Sequence, residues 1–373
     1  MLSTGGLAER LPDFPWNALL PLANIARAHP DGIVDLSVGT PVDPTPEVVR
    51  RALESASDAH GYPLTAGSVE LRSSMSAWMQ RQLGASVNAN DVLPVIGTKE
   101  LVAWLPTMLG LGATDTVVIP ELAYPTYAVG ADIANTLVVR SDDTVSLGPA
   151  PVSLVWINSP ANPTGRVLPV EHLRKVVAWA RERGALVVSD ECYIELSWST
   201  TDGDSPVSAL NPAICGASTN GIVAIHSLSK RSNMAGYRLG FIAGDPNVVE
   251  SLREVRKHAG MIVPAPIQAA GIAAYDDDLH VQVQRERYRT RRAVLLDALV
   301  GAGFRVDHSE GALYLWATRG EPCWDTVDWL AHRGILVAPG DFYGPKGFAH
   351  VRIALTATDE RIAAAASRLR GGS

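Results

Sequence analysis

Cysteine is scarce. Three in 373 residues, Cys192, Cys215 and Cys323, are scattered and odd in number. They build neither a disulfide framework nor a zinc spacing, which fits a reducing cytosol. Charge is sparse as well: Asp, Glu, Lys and Arg make up 19% of the chain, with a net charge of −7. That balance offers no electrostatic case for nucleic acid or an anionic membrane, so any anionic ligand must be caught by local basic groups. Long apolar runs are also missing. The opening "MLSTGGLAERLPDFPWNALLPLA" is broken by proline and lacks a basic start. It predicts neither signal peptide nor membrane span, and a cytoplasmic protein. Fixed-period repeats and low-complexity segments are absent too.

What is present is a well-buried globular composition, 47% hydrophobic, on a chain long enough for two lobes. Short apolar runs alternate with helical stretches: "DVLPVI", "TVVIP", "TLVVR", "SLVWIN", "ALVVSDE", "GIVAIHSLS" and "RLGFIAG". Near-continuous apolar strands between helices such as "PVEHLRKVVAWARERG" predict an α/β fold, a mostly parallel seven-stranded sheet covered on both faces. After "VPAPIQAA" come a long charged helix, then strands "ALYLWAT", "ILVAPG" and "HVRIALT". The shift predicts a large domain over 46–263 and a smaller α+β domain over 264–373, which the segment 1–45 completes. Within the long helix, "RERYRTRR" is expected to be a solvated face rather than a binding patch.

Open α/β sheets bind ligands beyond the carboxyl ends of their strands, so the polar residues just past each apolar run are the candidates. Gly97, Thr98 and Lys99 form a glycine turn into a helix N-terminus, which suits a phosphate or an ordinary cap. The nucleotide patterns GxxxxGK[ST] and GxGxxG are not there. Asn162 sits in the proline-punctuated turn "NSPANPTG", able to hold an amide toward an anionic oxygen or merely to reverse the chain. Asp190 ends a strand where a carboxylate needs a cation, structural or bound, and Tyr193 follows. Cys192 reads as a small core filler. Lys230, in "HSLSKRSNMAGYRLGF", lies among Ser227, Ser229 and Arg238. A partly desolvated lysine near other cations favours its neutral amine, which forms a Schiff base with an aldehyde. Phosphate, aldehyde, a ring nitrogen needing a carboxylate and a phenolic oxygen needing Asn and Tyr together describe pyridoxal phosphate.

The segments "SLSKRSNMAGYRLGF", "NSPANPTG", "SDECY", "GYPLTAG", "VIGTKEL" and "HVRIALT" together resemble the class I/II pyridoxal-phosphate aminotransferases of fold type I. The resemblance runs from about Ile33 to the C-terminal helix. It implies that Lys230 carries the cofactor and shuttles a proton between the substrate α-carbon and the cofactor, while Asp190 keeps the pyridine nitrogen protonated. It implies that Asn162 and Tyr193 contact the phenolic oxygen, and that Ser227, Ser229, Arg238 and the backbone at Gly97, Thr98 and Lys99 hold the phosphate. Tyr124 in "ELAYPTY" matches the aromatic that stacks on the ring. Arg352 and Gly39 match the groups at the substrate α-carboxylate. Tyr62 matches the residue that reaches the partner subunit's cofactor phosphate, implying a homodimer. The wording "SKRSNMAGYRLGF" and the opening to "HPDGIVDLSVGTPVDPTP" look most like actinobacterial succinyldiaminopimelate aminotransferases, which exchange amino groups with glutamate and 2-oxoglutarate. A broad-specificity aminotransferase or a C–S β-lyase shares the same cofactor residues. A non-catalytic ligand-sensing module is a more distant alternative, lacking here the length for a DNA-binding domain.

Overall fold

Apolar runs without alternation make sense only when both faces of a strand are covered, and this sheet is covered on both. A computed structural model describes residues 6–198 and 205–371. Its strands, in chain order, are β1 (Val34–Asp35), β2 (Val92–Val95), β3 (Thr116–Ile119), β4 (Leu137–Arg140), β5 (Leu154–Asn158), β6 (Leu186–Asp190) and β7 (Ile222–Ser227). Then follow β8 (Gly240–Gly244), β9 (Arg305–Asp307), β10 (Tyr314–Thr318), β11 (Ile335–Leu336), β12 (Ala338–Pro339) and β13 (Val351–Ala354). The large sheet has seven strands in the order β2-β8-β7-β6-β5-β3-β4. Within it, Val155, Ile157 and Val187 pack into one apolar layer, and Leu154, Trp156 and Val188 into the opposite one. Alternation along a strand therefore reads as an unbroken apolar run. β8 alone runs antiparallel, to both β2 and β7.

The C-terminal residues form a four-stranded antiparallel sheet, β12-β13-β10-β9. The N-terminal segment packs here: Leu19, Ala23, Ala26, Val34 and Leu36 share a core with Leu313, Leu315 and Ile353, and β1 pairs with β11. Helix Ala265–Asp276 lies beyond the domain boundary expected at Pro264. It nevertheless packs on helices Glu47–Ser55 and Val69–Leu83, over the large sheet. The hand-over to the smaller sheet comes along helix Leu279–Gly301, whose Tyr288, Leu295 and Leu299 join the C-terminal core.

The solvated face expected of "RERYRTRR" on that helix is corrected in part. Tyr288 is fully buried, and Arg291 is buried in a fork on Asp43, both contacts 2.7 Å, with Nε 2.7 Å from Asp359. A helix-face argument cannot see a carboxylate donated from so far along the chain. The pairs tie the N-terminal segment and the last helix, Asp359–Arg370, to the long one. Burial of the pair demands that both partners stay, since an orphaned charge there is strongly destabilising.

Candidate active site

The strand ends bring the chemistry-bearing residues to one rim. Asn158 pairs with Asp190 in the β5–β6 register, and Asp190 with Ile225 in β6–β7. Ser227 faces Gly240, which in turn faces Val95 at the end of β2. β8 starts where its neighbours finish, so the 12-residue connection from Ser227 to Gly240, carrying Lys230 and Arg238, lies on this rim. Ser227 caps the short helix Leu228–Arg231 by accepting from the Ser229 amide, which sets Lys230 one turn past the sheet edge. Gly97, at φ +76°, precedes helix Thr98–Met108 with no side chain capping its first amides. A Cβ on Gly97 would run into the Arg238 guanidinium, so glycine is what lets the cation lie across the helix start. Thr98 touches the same place through the close approach of Gly240.

Asp190 is a buried carboxylate served by neutral donors. The Tyr127 hydroxyl donates to Oδ2 at 2.7 Å and the Cys192 amide to Oδ1 at 3.1 Å. Burial pushes its carboxyl up against these bonds. Lys230 Nζ donates to the Gly39 carbonyl, and burial pushes its ammonium down, aided by Arg352 and Arg238 nearby. The other four lysines of the chain, Lys99, Lys175, Lys257 and Lys346, are exposed. Lys230 alone among the five is partly buried.

The Asn162 turn is held by Asn158, whose Nδ2 donates to the Asp190 carbonyl at 2.8 Å and whose Oδ1 accepts from the Asn162 amide at 2.7 Å. Asn162 Oδ1 then accepts from Arg352 at 2.9 Å, and the Ser37 carbonyl accepts from the same guanidinium at 2.7 Å. Arg352 is 3% exposed, its two acceptors are uncharged, and its Nε has no acceptor among the described residues. Aromatic faces surround it: Tyr314 at 4.1 Å, Tyr343 at 5.0 Å and Trp16 at 5.9 Å. A buried guanidinium compensated among the described residues by carbonyls and rings suits an anion.

Tyr193, Lys99, Tyr124 and Tyr62 complete the expected set. The phenol of Tyr193 lies 2.9 Å from the Tyr314 hydroxyl, either of which could donate. The Lys99 side chain leaves the rim and sits over the Phe14 ring, 5.5 Å from its centre, so any role at the helix start belongs to its backbone. Tyr124 lies edge-on to Tyr127 at 5.7 Å, its hydroxyl pushed up to about 12 by burial. Tyr62 is fully exposed on this chain. Three participants escaped the sequence reading. Tyr127 stacks on Trp156 at 4.6 Å beneath Asp190; Tyr314 joins Tyr193 to Arg352; Asn158 braces the Asn162 turn. The doublet "YPTY" carried a signal for the first, since residues three apart at a helix start share a face.

The model of the family described as "Aminotransferase class I and II" matches residues 31–369. The chain belongs to the class I and II aminotransferases. Among relatives, it is 59% identical to the 4-dedimethylamino-4-oxo-anhydrotetracycline transaminase OxyQ of Streptomyces rimosus, over 97% of this chain and 99% of that one. It is 31% identical to an LL-diaminopimelate aminotransferase of Dehalococcoides mccartyi, over 97% of both chains. Among solved structures, it resembles a probable N-succinyldiaminopimelate aminotransferase of Thermus thermophilus, with TM-score 0.85 and 27% identity over 96% of this chain and 100% of that one.

The aminotransferase cofactor, pyridoxal phosphate, suits the groups at this rim. A protonated ring nitrogen would supply the cation that buried Asp190 lacks, and burial shifts Lys230 toward the neutral amine that an aldehyde needs. Uncapped amides beyond Gly97 and the Arg238 guanidinium suit a phosphate. Arg352→Lys is expected to lower kcat/KM for amino donor and oxo acceptor alike by at least about tenfold, because a point charge replaces a two-bond fork. Steady-state kinetics with both substrates checks it, with cofactor absorbance unchanged. A loss confined to one substrate would assign Arg352 to that substrate's far end.

Proposed function

We propose that this aminotransferase transfers the amino group of N-succinyl-LL-2,6-diaminopimelate to 2-oxoglutarate, in a cytoplasmic homodimer. Arg352 carries the reading of an α-carboxylate substrate: buried, forked between Asn162 and Ser37, and without a carboxylate partner among the described residues. Both the donor and 2-oxoglutarate present that group. The diaminopimelate chemistry rests on the Dehalococcoides and Thermus proteins named above. The dimer rests on Tyr62, Leu64 and Val69, apolar side chains 101%, 72% and 62% exposed on one short stretch that a partner would cover.

In this reading Asn162, Tyr193 and Asp190 orient the bound ring, and Arg352 with the backbone at Gly39 fixes the substrate carboxylate. When bound, pyridoxal phosphate supplies an electron sink for the pair left at the substrate α-carbon. Lys230 Nζ takes the proton from that carbon, a task for an amine that burial has made less basic than an ordinary lysine. Tyr127 holds the Asp190 carboxylate so that one oxygen remains directed by a fixed bond. Tyr343, fully buried, and Trp16 keep water from the carboxylate subsite.

The 59% identity with OxyQ favours a second reading, amination of an oxo group on a polycyclic compound. Glutamate serves either reaction, so the other substrate decides. With 2-oxoglutarate present, N-succinyl-LL-diaminopimelate is expected to give glutamate faster than unsuccinylated LL-diaminopimelate does. Turnover only in the direction from glutamate to a polycyclic ketone would establish the second reading. Release of a thiol, ammonia and pyruvate from an S-substituted cysteine would instead establish a C–S β-lyase.

A further inference from the structure

Tyr314, on the first position of β10, belongs to none of the roles assigned so far, yet it touches three of them. It is 2% exposed. Its hydroxyl lies 2.9 Å from that of Tyr193, with the rings edge-on at 5.7 Å. Its face lies 4.1 Å beneath the Arg352 guanidinium, which the β10–β13 ladder holds next to it by pairing Trp316 with Arg352 and Tyr314 with Ala354. A Cβ on Gly39 would come within 2.3 Å of its hydroxyl, so Gly39, whose carbonyl accepts from Lys230, is bare where Tyr314 needs the room.

We propose that Tyr314 is the positioning residue of this site, its hydroxyl aiming the Tyr193 phenol and its ring supporting Arg352. The direction of the hydroxyl pair follows from the cation. A guanidinium over the Tyr314 ring draws electron density from it and makes its O–H the better donor. Tyr314 therefore donates to the Tyr193 oxygen, and the Tyr193 hydrogen is left to point at a ligand. Hydrogen bonds in such a chain strengthen one another in a buried, low-dielectric setting. The ring has a separate task. Arg352 meets no carboxylate among the described residues, and the aromatic face compensates its charge from above without competing for its in-plane donors, of which Nε has no acceptor. Hydroxyl and ring are thus separable functions of one side chain.

The inference rests on the transfer reading above, so its test avoids turnover. Two variants are loaded with cofactor and compared with the wild type at matched occupancy. The readouts are the pH midpoint of the visible band and, by calorimetry, the Kd of glutarate, an unreactive dicarboxylate. Tyr314→Phe keeps the ring: its midpoint is expected to rise by about one pH unit, the worth of one hydrogen bond, with glutarate Kd within about twofold. Tyr314→Leu removes both, and glutarate should bind about five- to tenfold more weakly as well. A Tyr314→Phe midpoint equal to the wild type would overturn the hydroxyl's role. Equal glutarate Kd in Tyr314→Leu and wild type, or an equal loss in both variants, would overturn the ring's. Failure to turn over the succinylated donor touches neither readout and bears only on the substrate.

Discussion

Alanine at position 230 is expected to reduce transamination by on the order of 10³-fold or more, since it removes both the covalent anchor and the base for the α-proton. Lys230 is drawn under the sheet rim onto the Gly39 carbonyl, while the other four lysines lie in solvent. Burial favours the neutral amine, and Arg352 and Arg238 push the same way. The variant should still fold, because the lysine makes no ion pair among the described residues and the helix Leu228–Arg231 is capped by Ser227. Rates with a saturating donor, beside a melting curve, separate lost chemistry from lost structure. Activity within tenfold of wild type would mean that another amine does the work.

Asp190→Ala comes next in size, with transamination falling by roughly 10²–10³-fold, the usual cost of deleting one preorganised electrostatic partner. The carboxylate ends β6, receives the Tyr127 hydroxyl and the Cys192 amide, and finds no cation among the described residues. That arrangement costs folding free energy, which a protonated ring nitrogen would offset. Removing the carboxylate leaves Tyr127 with an unpaired hydroxyl but no orphaned charge, so fold and some cofactor binding should persist. Single-turnover absorbance, with and without donor, would detect the loss of the chemical step. Near-normal turnover would place a different residue against the ring nitrogen.

Much of this site could be read from the sequence because an α/β sheet writes its rim into the chain: an apolar run, then the polar residue that follows it. Gly97, Asn162, Asp190 and Lys230 each stood after such a run, and the sheet gathers those strand ends. What the pattern lacks is direction. The runs at β7 and β8 look alike, and nothing local says that the second turns back. Side-chain partners across strands are equally silent. Tyr314 sits in "ALYLW", where an aromatic reads as packing, and only the β10–β13 pairing puts it under Arg352. Arg291 looked solvated because its partners, Asp43 and Asp359, come from opposite ends of the chain. Tyr193 follows Asp190 by three residues, and nothing in that stretch says that its phenol meets Tyr314, 121 residues further on.

The most direct test of the account is borohydride reduction of the purified, cofactor-loaded protein, followed by mass mapping of its peptides. The chain holds five lysines, at 99, 175, 230, 257 and 346, so the assignment is unambiguous. The account predicts a bleached visible band and the added mass on the peptide that contains Lys230 alone. A label on Lys99 or any exposed lysine, or a loaded protein that acquires no label, would contradict it.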